Sequence, residues 1–508
     1  MPAHEEEPFR LRAFVRLLEQ RGELEVVEGA VAPVDVAARL DGNPKAVLFR
    51  DVGGCGMELV GNVMGARRRL ALAFGVSEQA LLGEVMRRAQ APIVPVRASG
   101  TPPVQQVVWT GLDADLTRLP AHLQHGHDGG LYLGGIDVAR SLDGTRRNVG
   151  YRRLMLRGRR QAGIDLVAPS DLRALYAEYV AAGRALPIAF VIGSHPADGV
   201  AAVGTWPAAD EVALMGALRG APVPMASCVT IDAEVPADAE VVLEGTVDAA
   251  GWSELEGPYG EFFGYYGHVK RNPVFHLTAI TCRRDALFQT LAIGGRHLAC
   301  TDTAQLNSIR TEAGAWAALA TAVRGPVTVH APPSSGGVPH LRVALRPRAP
   351  GDARNAIAAV LGSLAEVKHV FVVDPDVDVF SDAQMDWALA TRFQADRDLV
   401  VMSAMRAVPL DPSLRGARTG AKAGFDLTSP PEQPAGIGHA VPAPPVLQPR
   451  PPRPVADALA EGPMTFGALM EAAGSRDGRD VVRALDDLGR AGRIERLDDG
   501  RYHLVGGR

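Results

Sequence analysis

The sequence predicts a multidomain α/β protein with a small helical unit appended at its C-terminal end. Three observations carry that prediction. Helix-like and strand-like periods alternate near both ends of the first 430 or so residues, a strand-rich middle separates them, and a proline-rich stretch precedes a last short segment. At roughly 100–200 residues per domain, 508 residues correspond to about three or four domains.

Leu11 to Gln20 carries apolar residues at helical spacing (Leu11, Phe14, Val15, Leu17, Leu18), and Arg21-Gly22 ends the run. Leu24–Val27 and Ala46–Phe49 read as short strands, with helices around Arg67–Ala73 and Glu78–Ala89. These form an N-terminal α/β domain over about residues 1–110. From about 111 to 310 strand-like runs dominate: Gly135–Arg140, Tyr151–Arg157, Ile188–Ile192, Val241–Thr246 and Phe275–Thr281. Two helices interrupt them, Asp171–Ala182 and Asp210–Leu218, a pattern that fits a barrel or a sandwich. Alternation returns over 311–428, with helices at Arg310–Val323 and Ala353–Leu364 and strands at Leu341–Leu345 and His369–Val373. The proline-rich segment 429–454 reads as a semi-rigid linker. Residues 455–508 then show helices at Val455–Ala460, Thr465–Ala473 and Arg479–Arg490. A hairpin follows, its arms Arg493–Leu497 and Arg501–Val505 joined by Asp498-Asp499-Gly500. Three helices and a hairpin in that order resemble a winged helix.

Composition narrows the function classes. Net charge is −5 and aromatics are 5%, so nothing argues for a nucleic-acid or anionic-membrane partner across the whole chain, and no broad base-stacking surface is expected. The appended segment has 8 Arg against 10 Asp or Glu. In its third helix Arg479, Arg483 and Arg490 are offset by Asp480, Asp486 and Asp487. DNA binding needs a basic footprint, so a protein-contact or oligomer-clamping role is the better reading of this unit. Cys55, Cys228, Cys282 and Cys300 form no C-x-x-C pair and are expected as reduced, mostly buried thiols. Met1 to Pro8 is acidic with no apolar run behind it, and no stretch approaches the roughly 18 apolar residues of a membrane span. A cytoplasmic location is expected.

Two constellations could carry chemistry. Glu256-Gly257-Pro258-Tyr259-Gly260-Glu261 sets two acids on a turn inside the aromatic, glycine-rich run Phe262 to Gly267. Apolar surroundings and a like-charged neighbour both raise a carboxyl pKa, which suits a proton donor. In Asn148-Val149-Gly150-Tyr151-Arg152-Arg153, a strand from Tyr151 puts Tyr151 and Arg153 on one face and Arg152 on the other. Arg153 could then grip a carboxylate in bidentate fashion.

With these residues the chain resembles the UbiD family, (de)carboxylases that use prenylated FMN. The family's E-G-P-[FY]-G-E signature is matched by Glu256–Glu261, with Gly264-Tyr265 after it, and its N-x-x-x-x-R motif by Asn148 and Arg153. Asp128-Gly129-Gly130 with Tyr132, Val367–Asp374, Trp387–Arg392, and Leu11–Phe14 with Gly22-Glu23-Leu24 match further family stretches. The resemblance spans roughly residues 8–430 and implies a central split β-barrel that binds the flavin.

The resemblance also implies roles. Arg153 contacts cofactor and substrate carboxylate, Glu256 holds Arg153, and Glu261 moves the proton at the carbon that loses CO2. Asn148 and Glu211 are implied as ligands of a divalent metal at the cofactor phosphate, and Lys368 as a further cofactor contact. The cofactor-binding set is Asn148, Val149, Gly150, Tyr151, Arg152, Arg153, Ser170, Asp171, Glu211 and Lys368. The family's third metal ligand is usually a histidine after glutamine; here Ser170-Asp171 stands at that distance. Asp171 would serve as a helix N-cap in its own right. As a ligand it would complete an all-oxygen set, Asn148, Asp171 and Glu211, suited to Mn²⁺ or Mg²⁺. K⁺ is a further candidate ion. The expected partners are a small carboxylic acid (α,β-unsaturated, aromatic or heteroaromatic), a flavin prenyltransferase as cofactor supplier, and further copies of the chain in a homodimer or larger oligomer. The competing expectation is a catalytically weak scaffold or partner subunit that acts through its appended unit.

Overall fold

Six antiparallel strands rich in apolar residues close on one another at the centre of the computed structural model, which describes residues 7–204, 210–325, 327–428, 444–448 and 450–506. In chain order the barrel strands are Tyr132–Arg140, Arg147–Gly158, Gln161–Ile164, Leu186–Ile192, Val241–Val247 and Val274–Cys282. Around the barrel they run fifth, fourth, first, second, third, sixth, and the sixth pairs back with the fifth. Alternate residues of every strand, among them Leu133, Leu154, Ile164, Phe190, Leu243 and Phe275, meet in one buried cluster. Their period of two selects the inward face, and closure removes the sheet edges. Of the two architectures open to the sequence, this is the barrel.

The second barrel strand begins at Arg147, four residues before the expected start at Tyr151. Its register with the first strand is unbroken from Tyr132–Met155 to Arg140–Arg147. Asn148 and Arg153 therefore lie on one continuous strand, and an odd spacing of five puts them on opposite faces.

Before the barrel, helix Leu11–Gln20 packs by Leu11, Phe14, Val15 and Leu18. A sheet follows in the order Leu24–Val31, Ala46–Val52, Glu58–Gly61, Leu287–Gln289. Its last strand comes from the segment after the barrel, so this layer is completed late in the chain. The short helix Pro33–Leu40, which opens on a proline at its first turn, is an element the sequence reading did not expect. After the barrel, helix Asp302–Ala322 starts well ahead of the expected Arg310. Thr301 caps it, its Oγ1 accepting from the Ala304 amide at 3.2 Å. Asp302 accepts from the Met64 and Ala292 amides at 2.7 and 2.9 Å and so ties three segments together. A five-stranded sheet ends this part, ordered Val327–His330, His340–Leu345, His369–Val373, Thr419–Leu427, Leu399–Arg406.

The chain divides into two units, Met1–Thr428 and Ser429–Arg508. Most of the expected linker lies outside the described residues. The second unit holds helices Val455–Leu459, Phe466–Ala473 and Arg479–Arg490 and a hairpin of Ile494–Arg496 with Tyr502–Leu504. Its core is Val455, Leu459, Leu469, Val481 and Leu488 with neighbours. No helix among the described residues is long and apolar enough to cross a membrane. The four cysteines are free thiols, but only Cys282 is fully buried, against the expectation that most would be.

Two helices beside the barrel, Pro196–Val203 and Glu211–Arg219, are joined by a buried charge cluster. Arg219 donates to both oxygens of Asp198 at 2.7 and 2.5 Å and to Asp238 at 2.6 and 3.3 Å. Asp198 is wholly buried. Removing one member of such a cluster strands the others without solvent. Arg219→Met should therefore destabilise the protein by about 3–5 kcal/mol, read as a lowered midpoint in thermal unfolding. An unchanged midpoint would show that the cluster contributes nothing net.

Candidate active site

Glu256 is the last residue of a short strand, Glu254–Glu256, paired antiparallel with Lys270–Asn272. Tyr259-Gly260 pairs with Tyr266-Gly267 in the same ribbon. Glu256 and Glu261 thus leave the ribbon on either side of the Gly257-Pro258 turn. The Asp128 to Tyr132 segment clamps that turn. Asp128 accepts from the Gly260 amide at 2.9 Å, the Gly129 amide donates to the Pro258 carbonyl at 2.7 Å, and the Tyr132 ring lies 4.3 Å from that of Tyr259. Both glycines are required by close approach. A Cβ on Gly129 would stand 2.2 Å from the Gly257 carbonyl oxygen, and one on Gly260 2.4 Å from His125 Nδ1.

The clamp brings both acids to Arg153. Its Nε lies 3.2 Å from Glu256 Oε1, its Nη1 2.9 Å from Glu261 Oε1, and its Nη2 2.9 Å from Asp165 Oδ2. The Tyr259 ring covers the guanidinium at 4.5 Å. Glu256 has no exposed surface, and its second oxygen accepts from Asn272 Nδ2 at 3.0 Å. Lys270 Nζ donates to Asp165 Oδ2 at 2.7 Å. Burial opposes the Arg153 charge, but Glu261, Asp165 and Glu256 outweigh it and hold the guanidinium protonated. Burial raises the Glu261 carboxyl above its ordinary range, against the pull of Arg153 and Lys270. Asp165 is half-buried, and although that opposes its charge, Arg153 and Lys270 hold it below that range.

The opposite face of the strand carries Asn148, Gly150 and Arg152. Asn148 donates to Asp137 Oδ2 at 3.0 Å. Asp137 is wholly buried; among the described residues its Oδ1 has no hydrogen-bond partner, and Arg152 Nε stands 3.9 Å from it. Glu211 opens its helix, with Asp210 as the N-cap bonded to the Val212 and Ala213 amides. Burial, followed by the charges of Asp210, Asp171 and Asp137, pushes Glu211 up to about 7. Three acids around the half-buried Glu211 carboxyl leave this corner short of positive charge, which suits a cation. Asp171 is exposed at the start of its helix and is not the cap. Ser170 has extended backbone, and its Oγ accepts from the Arg173 amide at 3.3 Å, so the expected N-cap role passes from Asp171 to Ser170. Among the described residues no three His, Cys, Asp or Glu side chains form a ready metal cluster. A ligand set here has to use Asn148.

The other expected cofactor residues have mixed surroundings. Val149 is buried in the core with Ile136 and Val138. A Cβ on Gly199 would stand 3.1 Å from the Tyr151 hydroxyl, so the ring lies against the Pro196–Val203 helix. Lys368 bonds Asp411 and Ser413, at 2.8 and 2.7 Å, and none of the other candidate residues. A cavity of about 370 Å³ flanks the acidic loop, lined by Leu40, His122, Gln124, Tyr266, Leu291 and Thr301 among others. It adjoins Tyr259, whose hydroxyl donates to Gln124.

Asp165, Lys270, Asn272 and Asp137 were absent from the sequence reading. Lys270 and Asn272 had a signal: they alternate on a run following the aromatic loop, as partners of a returning strand would. Asp165 and Asp137 had none in the sequence; pairing of the second barrel strand with its two neighbours places them, Asp137 beside Asn148 and Asp165 next to the Leu154–Ile164 pair.

Three domain families match the chain, all described as parts of 3-octaprenyl-4-hydroxybenzoate carboxy-lyase. They are its N-terminal domain over residues 15–89, its Rift-related domain over 96–297 and its C-terminal domain over 304–427. Anhydromevalonate phosphate decarboxylase of Methanosarcina mazei is 31% identical over 426 residues, 82% of this chain and 95% of the relative. The UbiD-class enzyme HmfF of Pelotomaculum thermopropionicum in complex with FMN superposes with a TM-score of 0.80 at 33% identity, covering 85% of this chain and 97% of that one. An evolved dimeric form of HmfF in complex with prFMN gives 0.75 at 32%, with 84% and 97% covered. The apo 3,4-dihydroxybenzoic acid decarboxylase of Klebsiella pneumoniae gives 0.79 at 27%, with 86% and 97% covered.

The charge arrangement at Glu211 yields a test. A carboxyl raised to about 7 must lose its proton before it can ligate, so Mn²⁺ affinity of the cofactor-free protein should rise as pH increases through that value. Calorimetric titration at about pH 6 and about pH 8 measures this. Equal affinities at both, or affinity unchanged in Glu211→Gln, would exclude Glu211 from the ligand set.

Proposed function

The chain belongs to the UbiD family of carboxy-lyases, and from that premise we propose that it reversibly decarboxylates an aromatic, heteroaromatic or α,β-unsaturated carboxylic acid with prenylated FMN. The observation that carries this reading is the buried Arg153, held between Glu256 at 3.2 Å and Glu261 at 2.9 Å.

Bound prenylated FMN supplies an electron sink for the carbon that loses CO2. The residues of the chain do the rest. All three nitrogen positions of Arg153 face carboxylates, so an incoming substrate carboxylate must displace one. Glu261 is the one to yield, since burial favours its neutral form and a neutral carboxyl is the weakest acceptor for a guanidinium. Glu256, fixed by Asn272, keeps Arg153 aimed. The bond to the carboxylate breaks, CO2 departs, and the electron pair stays on the carbon. Glu261 delivers its proton there, becomes a carboxylate and returns to Arg153 Nη1. The flanking cavity would take the ring or alkene of the acid. It is lined by aliphatic side chains and Tyr266, with Asp41, His122, Gln124, His125 and Thr301 for polar contacts, and among the described residues no Lys or Arg lines it.

Asn148 and Glu211, with Asp171 at the rim, would hold Mn²⁺ or Mg²⁺ at the cofactor phosphate; the excess of acid there supports this. Lys368 would reach the cofactor by exchanging Asp411 for it. For the appended unit we favour a protein-contact or oligomer-clamping role, because its acids outnumber its arginines and three of the arginines are paired with acids: Arg479 with Asp477, Arg490 with Asp486 and Arg501 with Asp499.

The test uses protein co-produced with a flavin prenyltransferase and a CO2-release screen over benzoic, cinnamic and pyrrole-type acids. Glu261→Gln should retain the bound flavin, followed by its visible spectrum, and lose roughly 10²–10⁴-fold in turnover. Turnover like that of the unaltered protein in this variant would refute the assignment.

A further inference from the structure

Asp165 and Lys270 have no part in the mechanism above, yet they complete the charge cluster. Three carboxylates, Glu256, Glu261 and Asp165, face two cations, Arg153 and Lys270. One negative charge is in excess, and in a buried site a single proton relieves it. Where the proton resides depends on how many donors each carboxylate already has.

Glu256 accepts from two donors, Arg153 Nε at 3.2 Å and Asn272 Nδ2 at 3.0 Å. Asp165 Oδ2 receives both cations, Arg153 Nη2 at 2.9 Å and Lys270 Nζ at 2.7 Å. Its Oδ1 accepts from the Val167 amide at 3.3 Å and from Asn272 Nδ2 at 3.4 Å. Among the described residues the Glu261 carboxyl receives one donor, Arg153 Nη1 at 2.9 Å. Protonating Asp165 or Glu256 would sacrifice two or more charge-assisted bonds; protonating Glu261 sacrifices one.

We propose that Asp165 and Lys270 are positioning residues: Asp165 occupies the third nitrogen of Arg153 and Lys270 pairs with Asp165, so that of the three carboxylates only Glu261 is left to carry the proton. This rests on the reading of Glu261 as the proton carrier. The opposite directions in which burial and charge move Glu261 and Asp165 agree with it. The two oxygens of Asp165 divide their work: Oδ1 shapes the turn into Leu166 and Val167, and Oδ2 serves the cations. Asp165→Asn can therefore keep the turn while removing the charge. Other charged or titratable groups near Glu261 are Glu256 and Tyr259 of its own ribbon, with Tyr132 and Asp128 behind Tyr259.

The test is a pH titration of the full chain by infrared difference spectroscopy, the Glu261 band being the one lost in Glu261→Gln. Asp165→Asn removes a neighbouring negative charge and should move the Glu261 midpoint to lower pH. Lys270→Met removes a positive charge and should move it to higher pH. Each shift should be about one unit. The pH–rate profiles of the flavin-loaded variants should move in the same opposite senses, which loss of packing alone would not produce. Absent shifts, or shifts of like sign, would overturn the proposal. Full turnover in Glu261→Gln with the opposite shifts intact would instead overturn the role of Glu261 in the reaction and leave the placement of the proton standing.

Discussion

A buried guanidinium surrounded by three carboxylates is the constraint on which the rest of this structure depends. Arg153 has 11% of its side chain exposed, and its partners Glu256 and Glu261 have 0% and 6%. Taking such charges out of water costs several kcal/mol per ion unless each is met by well-aimed partners. The scaffold is built to aim them. The second barrel strand presents Arg153, the ribbon after the fifth strand presents Glu256, the turn presents Glu261, and the segment after the third strand presents Asp165. The Asp128 to Tyr132 segment has the same purpose, since its bonds go to the backbone that spaces the two glutamates.

Strand geometry separates two kinds of chemistry with little material. The odd spacing between Asn148 and Arg153 puts them on opposite faces of one strand. On the Arg153 face, cations and carboxylates are nearly balanced, which suits proton transfer. On the Asn148 face, Asp137, Asp171, Asp210 and Glu211 outnumber the cations, which suits metal binding. A shift of one residue in the strand register would exchange the faces, and the unbroken pairing of the first two barrel strands prevents it. The Arg219 cluster contributes at longer range. It joins the helix that Glu211 opens to the helix beneath Tyr151, so the two faces share one buried support.

Much of this was legible in the sequence because much of it is local. Helix Leu11–Gln20 follows from apolar spacing, five of the six barrel strands from strand-like apolar runs, and the turn between Glu256 and Glu261 from Gly-Pro; the short third strand, Gln161–Ile164, has too little pattern to be read. Several motifs in fixed order sufficed to identify the family, and they named Arg153, Glu256 and Glu261. The strand pattern alone left barrel and sandwich open, because the choice depends on the sixth strand pairing with the fifth; the family resemblance is what pointed to the barrel. Nor was the partnership of Lys368 with Asp411 and Ser413, which lie more than 40 residues away along the chain.

The acidic loop shows where that division falls. By itself the sequence determined that two acids flank a tight turn beside a strand bearing an arginine, because turn chemistry and strand period act over a few residues. Only the tertiary structure decided that Asp165 and Lys270 join them and that Glu261 has the fewest donors. It also decided that Ser170, not Asp171, caps its helix. A carboxyl's proton affinity is set by everything within several ångströms of it, and at Glu261 those neighbours come from chain segments more than a hundred residues apart.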